Sequence, residues 1–104
     1  MPETGQIEAS IEPSGAGRFL VSGALVFETV AALRHASRAQ LRGVADATFD
    51  LKSVTRSDSA GLALLVSWLR DAHEDGRTVH FENLPKQLAA IAHTCGLEWL
   101  PGVA

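Results

Sequence analysis

Residues 55–65 read TRSDSAGLALL, a polar stretch that passes directly into an uncharged, apolar one. Just upstream, residues 47–51 (ATFDL) are typical of a short β-strand. Downstream, apolar side chains recur at helical spacing from about residue 59 to residue 75, and Gly76 follows as a typical helix end. The stretch therefore predicts a strand, a polar loop over residues 55–58 and a long helix, an arrangement typical of parallel sheets.

The flanking sequence predicts further strands and helices on both sides of this unit. In chain order they are a strand over residues 7–11, a turn at 13–17, a strand over 19–26, a helix over 28–41, a strand over 78–82 and a helix that begins at Pro85. The last helix has a stripe that consists of Leu88, Ile91, Ala92 and Cys95. We interpret Cys95 as a small core residue and not as a nucleophile.

The predicted order is β-β-α-β-α-β-α, which makes the chain an α/β protein. Alternation of strands and helices implies parallel strands, and the opening hairpin makes the sheet mixed, with about four strands and with helices mainly on one face. We expect one domain over residues 7–100, preceded by a flexible N-terminus at residues 1–6. The predicted core consists of Ile11, Val21, Leu33, Phe49, Leu51, Leu62, Leu65, Leu69, Val79, Phe81, Leu88 and Ile91.

Composition narrows the class of protein. The 104 residues fit one compact domain, and 46% hydrophobic with 20% charged residues is typical of a globular chain. A net charge of −3 argues against nucleic acid as a partner, because that binding needs a basic face. The single cysteine excludes an internal disulfide, and the longest uncharged run is too short to span a bilayer. We therefore expect a cytoplasmic domain that reaches any membrane through a partner.

The sequence contains no recognisable catalytic set. It has no GxxxxGK[ST] phosphate loop, no GxGxxG fingerprint and no GxSxG elbow. The four histidines are scattered and form no pair at metal-binding spacing. We expect no catalytic residues, no cofactor and no metal, and a binding or regulatory module is favoured over an enzyme.

The helix over residues 59–75 has an unusual outer face. A helical wheel places one group on the core side, namely Leu62, Leu65, Val66, Leu69 and Ala72. The opposite side lacks charge, although a surface helix ordinarily carries charged side chains there; it consists of Ala60, Ala63, Leu64, Ser67 and Trp68. Two interpretations are open: this face docks another protein, or neighbouring elements of the same domain cover it.

Ser59 stands at the start of the same helix and also has two interpretations. Its hydroxyl is placed to cap the helix by accepting from backbone N–H groups. Alternatively it is a phosphate acceptor, because a phosphate at a helix N-terminus meets free N–H groups and a favourable dipole, with Arg56 nearby.

With this order of elements, residues 58–62 (DSAGL) resemble the STAS domain of anti-sigma-factor antagonists. The family carries a D-[ST]-[SAG]-G-[LIV] turn between a strand and the following helix. Residues 21–25 (VSGAL) are similar to its second strand, and residues 49–51 (FDL) also fit. Ala24 departs from the pattern, since many members carry an acid there. The resemblance covers about residues 7–100.

Within that family, residues 61–65 (GLALL) and the short chain are most similar to the MlaB type. This resemblance implies a non-catalytic subunit that binds an MlaF-like ATPase of a phospholipid ABC transporter, which maintains outer-membrane lipid asymmetry. The alternative is an anti-sigma-factor antagonist, in which phosphorylation of Ser59 by a partner kinase switches off binding.

Both alternatives use the same surface of the helix and its preceding loop. The expected partner interface consists of Arg56, Ser57, Asp58, Ser59, Ala60, Ala63, Leu64, Ser67 and Trp68. We expect the side chains of Ser59 and the outer helix face to be exposed in the isolated domain and buried in the complex.

Overall fold

The computed structural model describes residues 8–97 and 100. Its elements are β1 (Ala9–Gly15), β2 (Arg18–Leu25), α1 (Phe27–Gln40), β3 (Asp46–Ser57), α2 (Ser59–Asp75), β4 (Thr78–Glu82) and α3 (Lys86–Thr94). The predicted order β-β-α-β-α-β-α is confirmed. Residues 1–6, the predicted strand start at Ile7 and the C-terminal end of the chain after Leu100 lie outside the described residues.

The four strands form one mixed sheet in the order β1-β2-β3-β4. β1 pairs antiparallel with β2, and β3 runs parallel to both β2 and β4, so α1 and α2 serve as the crossover connections. The predicted turn at residues 13–17 is too long, because β1 continues to Gly15. Pro13 is tolerated in this strand since β1 lies at the sheet edge, where a missing N–H costs no ladder hydrogen bond.

The predicted polar loop over residues 55–58 is wrong. β3 continues to Ser57, with Arg56 paired to Ala24 and Ser57 to Leu25 on the parallel strand β2. Polar side chains are compatible with this strand, because backbone groups make the hydrogen bonds to the neighbouring strands. Successive side chains point to opposite faces of the sheet, so polar ones can lie on a face that is exposed to water. Asp58 alone separates the strand from α2.

The core lies between the sheet and the helices. Ten of the twelve predicted core residues are buried, while Leu69 and Ile91 are partly buried against the same cluster. At its centre the ring of Trp68 stacks on that of Phe49, with centroids 4.3 Å apart and planes 9° from parallel. The prediction for Cys95 is wrong: α3 ends at Thr94, and Cys95 is exposed beyond the helix stripe.

Within the described residues, no helix is both long and apolar enough to cross a membrane.

Candidate functional site

The polar turn between β3 and α2 is capped by Asp58 and not by Ser59. Asp58 has an extended backbone, and its Oδ1 accepts a hydrogen bond from the backbone N of Ala60 at 2.8 Å. Ser59 is already the first helical residue, because β3 extends to Ser57 and leaves only Asp58 in the capping position. The predicted cap role of Ser59 is therefore wrong, and its exposed hydroxyl is available to a partner.

Gly61 positions this turn against the sheet. A Cβ at Gly61 would lie 2.7 Å from the carbonyl oxygen of Leu25 and 3.2 Å from the Cβ of Ser57. The Leu25 carbonyl oxygen also accepts a hydrogen bond from the backbone N of Asp58 at 3.2 Å. The absence of a side chain at Gly61 thus lets the first turn of α2 rest on the carboxyl ends of β2 and β3. Ser59 therefore lies next to the carboxyl ends of these two strands.

The predicted exposure of Leu64 and Trp68 is wrong. Both are buried, at 3% and 2% exposure, because α1 packs along this side of α2. The indole Nε1 of Trp68 donates a hydrogen bond of 2.8 Å to the Oγ of Ser37 on α1. For these two side chains, the uncharged face of α2 is therefore covered by a neighbouring helix of the same domain and not left free for a partner. Ser57, predicted at the interface, is buried as well.

The buried arc of α2 is rotated from the predicted one by roughly 60°, where successive residues differ by about 100°. It is centred on Gly61, Leu65, Trp68 and Ala72. Val66 and Leu69, which were predicted on the core face, are only partly buried. The rotation follows from packing against the sheet, α1 and α3 together, where the wheel assumed a single neighbour.

The remaining predicted interface residues lie at the surface around the start of α2. Arg56, Asp58, Ser59 and Ala63 are exposed, and Ala60 and Ser67 are half-buried. Their role in binding a partner stays a prediction.

Beside these residues runs a shallow groove between the two helices, which we call the α1–α2 groove. Its volume is about 200 Å³, and it is lined by Val30, Ala31, Arg34, Ala60, Ala63, Leu64 and Ser67.

Phe27, which the sequence analysis did not single out, stands at the start of α1 with 80% of its surface exposed. It is the one large apolar side chain that is exposed among residues 8–97 and 100. A signal was present in the sequence, since Phe27 extends the apolar run of β2 past the strand end. Single apolar side chains are ordinary at protein surfaces, and Phe27 is a candidate contact residue by its type, because aromatic residues are enriched in interfaces.

An ion pair between α1 and α2 maintains the spacing of the groove. Arg34 donates from Nε to Oδ2 of Asp71 at 3.1 Å and from its terminal guanidinium nitrogen to Oδ1 at 2.8 Å. These hydrogen bonds lower the pKa of Asp71, and nearby positive charge acts in the same direction against the effect of burial. The two-pronged geometry is the strong form of such a pair.

We expect the Arg34–Asp71 pair to make stability depend on pH in the acid range. Because the pKa of Asp71 is lowered on folding, its contribution is complete above the unfolded carboxyl pKa of about 4 and is lost as pH falls below that. Urea midpoints of Asp71→Asn should therefore lie below wild type at pH 7 and approach it near pH 2. Glu12→Gln is the matched control, since Glu12 is exposed on the edge strand. A constant gap between Asp71→Asn and wild type at all pH values would contradict the assignment.

The residues around the start of α2 form a surface on which a partner can bind. In the part of the chain that the structure describes, no group of three His, Cys, Asp or Glu side chains is placed to hold a metal ion. The polar residues at the start of α2 are presented singly to solvent, beside a groove lined mainly by small or apolar side chains.

Comparison with known proteins gives a family and a fold. Residues 12–102 match the family model described as "Mlab, STAS domain". The anti-sigma factor antagonist SpoIIAA in its unphosphorylated form superposes with a TM-score of 0.70 at 14% identity, covering 90% of this chain and 85% of that one. The phosphorylated form of SpoIIAA, the Bacillus cell fate determinant, superposes with a TM-score of 0.66 at 17% identity, covering 90% and 88%.

A third structure is similar to this chain over only a small part of its own length. The crystal structure of Mglu superposes with a TM-score of 0.57 at 23% identity, and it covers 73% of this chain but only 19% of its own. The sequence matches no curated protein. At these identities the superpositions show a shared fold.

Proposed function

The chain belongs to the MlaB-type STAS domain family, and from this we propose that it is the subunit that binds the ATPase of a Mla-type phospholipid ABC transporter. STAS domains are in general non-catalytic interaction domains, and the MlaB-type family match over residues 12–102 is the observation that carries the proposal. In this role the protein is cytoplasmic, is held at the inner membrane by its partner and supports a transporter that maintains outer-membrane lipid asymmetry.

The surface geometry supports this proposal. Ser59 and Ala63 are exposed on consecutive turns of α2, and Ala60 lies half-buried between them. Small side chains let a partner backbone approach closely, and the absence of charge lowers the cost of removing water from the surface. Phe27 adds an exposed aromatic side chain, a residue type enriched in interfaces.

A specific observation favours a second candidate function, that of an anti-sigma-factor antagonist. Ser59 is exposed in the first turn of a 17-residue helix, where backbone N–H groups and the helix dipole favour an added phosphate. The fold superposes on SpoIIAA in both its unphosphorylated and its phosphorylated form. In this function a partner kinase modifies Ser59 and thereby ends binding.

Binding to two purified candidate partners distinguishes the functions. We expect the domain to co-purify with the Mla-type ATPase of its own organism, and Ser59→Asp to weaken that complex by placing a charge at its edge. Ser10→Asp is the matched control, because Ser10 is exposed on β1 and alternates with the helix-facing Ile11. In a parallel reaction the domain is incubated with an anti-sigma factor kinase and ATP. Phosphate on Ser59 with no ATPase complex would reverse the assignment in favour of the antagonist.

A further inference from the structure

The C-terminal half of β3 is paired on one side only. Toward β2 the pairing continues to the strand end, where Ser57 lies opposite Leu25. Toward β4 it stops earlier, because β4 ends at Glu82, which lies opposite Asp50. Among the residues that the structure describes, no strand therefore lies beside residues 51–57 on that side. A buried backbone N–H that points this way needs an acceptor from elsewhere.

Gln87, in the first turn of α3, supplies such an acceptor. Its Oε1 accepts a hydrogen bond from the backbone N of Ser57 at 3.2 Å. Ser57 is only 4% exposed, so water has little access to replace this bond. The Gln87 side chain thus does for the end of β3 what a neighbouring strand does elsewhere in the sheet.

The loop that leads from β4 into α3 is itself attached to β3, and this determines where Gln87 lies. Within this loop, Nδ2 of Asn83 donates a hydrogen bond of 2.9 Å to Oδ1 of the buried Asp50. Asn83 adopts φ 56°, in the left-handed region that asparagine tolerates better than most residues. α3 also packs against β3 and α2. Gln87 therefore approaches Ser57 from an element whose position relative to β3 is already set.

The turn before α2 is held from two sides. The backbone N of Ser57 donates to Gln87 on α3. The next backbone N, that of Asp58, donates to the carbonyl oxygen of Leu25 on β2 at 3.2 Å. The hydroxyl of Ser57 adds nothing to this, because it is buried without a hydrogen-bond partner among the described residues. Backbone contacts, and not the Ser57 side chain, therefore determine where Ser59 begins α2.

We propose that Gln87 is a positioning residue for partner binding: its Oε1 holds the end of β3 and thereby presents Ser59 and the first turn of α2 in the orientation that the partner binds. The inference rests on the proposed function and deepens it, because it adds a residue on α3 that acts through the backbone of Ser57. A turn that is ordered before binding costs less to order in the complex. Loss of the acceptor lets the turn adopt other conformations, and the affinity falls with the fraction that stays competent to bind.

The test compares two substitutions of Gln87 that differ in the acceptor. Gln87→Met has a similar length but lacks the carbonyl oxygen, and we expect it to lower the affinity of the protein for the Mla-type ATPase about three- to tenfold, the value of one hydrogen bond. Gln87→Glu keeps an oxygen that accepts from the Ser57 backbone N and should restore the affinity to within about twofold of wild type. Lys86→Met is the matched control, since Lys86 is exposed on the same turn of α3, and it should also stay within about twofold.

Amide hydrogen exchange of the free protein separates positioning from direct contact and from a general loss of stability. In Gln87→Met the Ser57 amide should exchange at least about threefold faster than in wild type, whereas the Thr48 amide should be unchanged. Thr48 is the internal reference because its backbone N donates to the carbonyl oxygen of Gly17 near the opposite end of β3.

Unchanged exchange of the Ser57 amide in Gln87→Met, or equal acceleration at Ser57 and Thr48, overturns the inference. So does a loss of affinity in Lys86→Met or Gln87→Glu as large as that in Gln87→Met, since the partner would then contact α3 directly. A wild-type complex whose affinity is the same in Gln87→Met refutes the inference alone. Absence of any wild-type ATPase complex refutes the proposed function, and the inference with it.

Discussion

Ala63→Glu is expected to abolish binding to the transporter ATPase while the free domain stays folded. Ala63 is exposed on α2 and lines the α1–α2 groove, so a partner seated there covers it. A carboxylate at this position would be removed from water in a groove whose arginine, Arg34, is already paired with Asp71. Such burial costs several kcal/mol, and about 3 kcal/mol already lowers affinity more than a hundredfold. The side chain also fills space that the small alanine leaves to the partner backbone.

The measurement is a pull-down of the ATPase beside a thermal melt of the free variant. Ala90→Glu is the matched control, because Ala90 is an exposed alanine on α3, away from the groove. Both substitutions should change the stability of the free domain by less than about 0.5 kcal/mol, as surface changes usually do. Undiminished binding by Ala63→Glu would show that the partner does not bind to this surface of α2. A large drop in its melting temperature would instead show that this face of α2 belongs to the core.

Leu65→Ala is expected to lower the free energy of unfolding by about 2–5 kcal/mol, through lost transfer energy and the cavity left behind. Leu65 is fully buried at the centre of the α2 face that meets the sheet. Such a cost is a large fraction of the total stability of a domain of this size.

Leu69→Ala is the comparison that tests the orientation of α2. The helical wheel places Leu65 and Leu69 together in the core, whereas the structure leaves Leu69 partly exposed. Urea unfolding of both variants should therefore show the smaller loss for Leu69→Ala, because part of its side chain is already in water. Equal losses would indicate that α2 faces the sheet as the wheel predicted and not as the structure shows.

Local sequence signals predicted the antiparallel pairing of the first two strands, the parallel pairing of the later ones and the bounds of some individual elements. The predicted bounds of α2, residues 59–75, agree with the structure, and Gly76 ends the helix in the left-handed conformation with φ 67°. β4 likewise spans the predicted residues 78–82. Such signals depend on the backbone preference of one residue or on the pattern of a few neighbouring side chains. They are therefore independent of contacts with distant parts of the chain.

The candidate site was predicted in part. The family motif at residues 58–62 placed Ser59 at the start of α2. The absence of charged residues on one side of that helix made Ala63 a candidate interface residue. Phe27 was overlooked because α1 was predicted to begin one residue later, so this side chain belonged to no face. The assignment of the cap required the end of β3, which depends on pairing with β2, a contact across about 30 residues of sequence.

By itself, the sequence determined the order of elements, the family and the place where the uncharged helix begins, since each is written in short-range patterns of residue type. Only the tertiary structure decided how α2 is turned about its axis. Residues 60–68 are uncharged and mostly apolar on all sides, so periodicity alone selects no single buried face. Packing of α1 against α2 makes that selection: it buries Leu64 and Trp68, pairs Arg34 with Asp71 and leaves Ala63 in the groove.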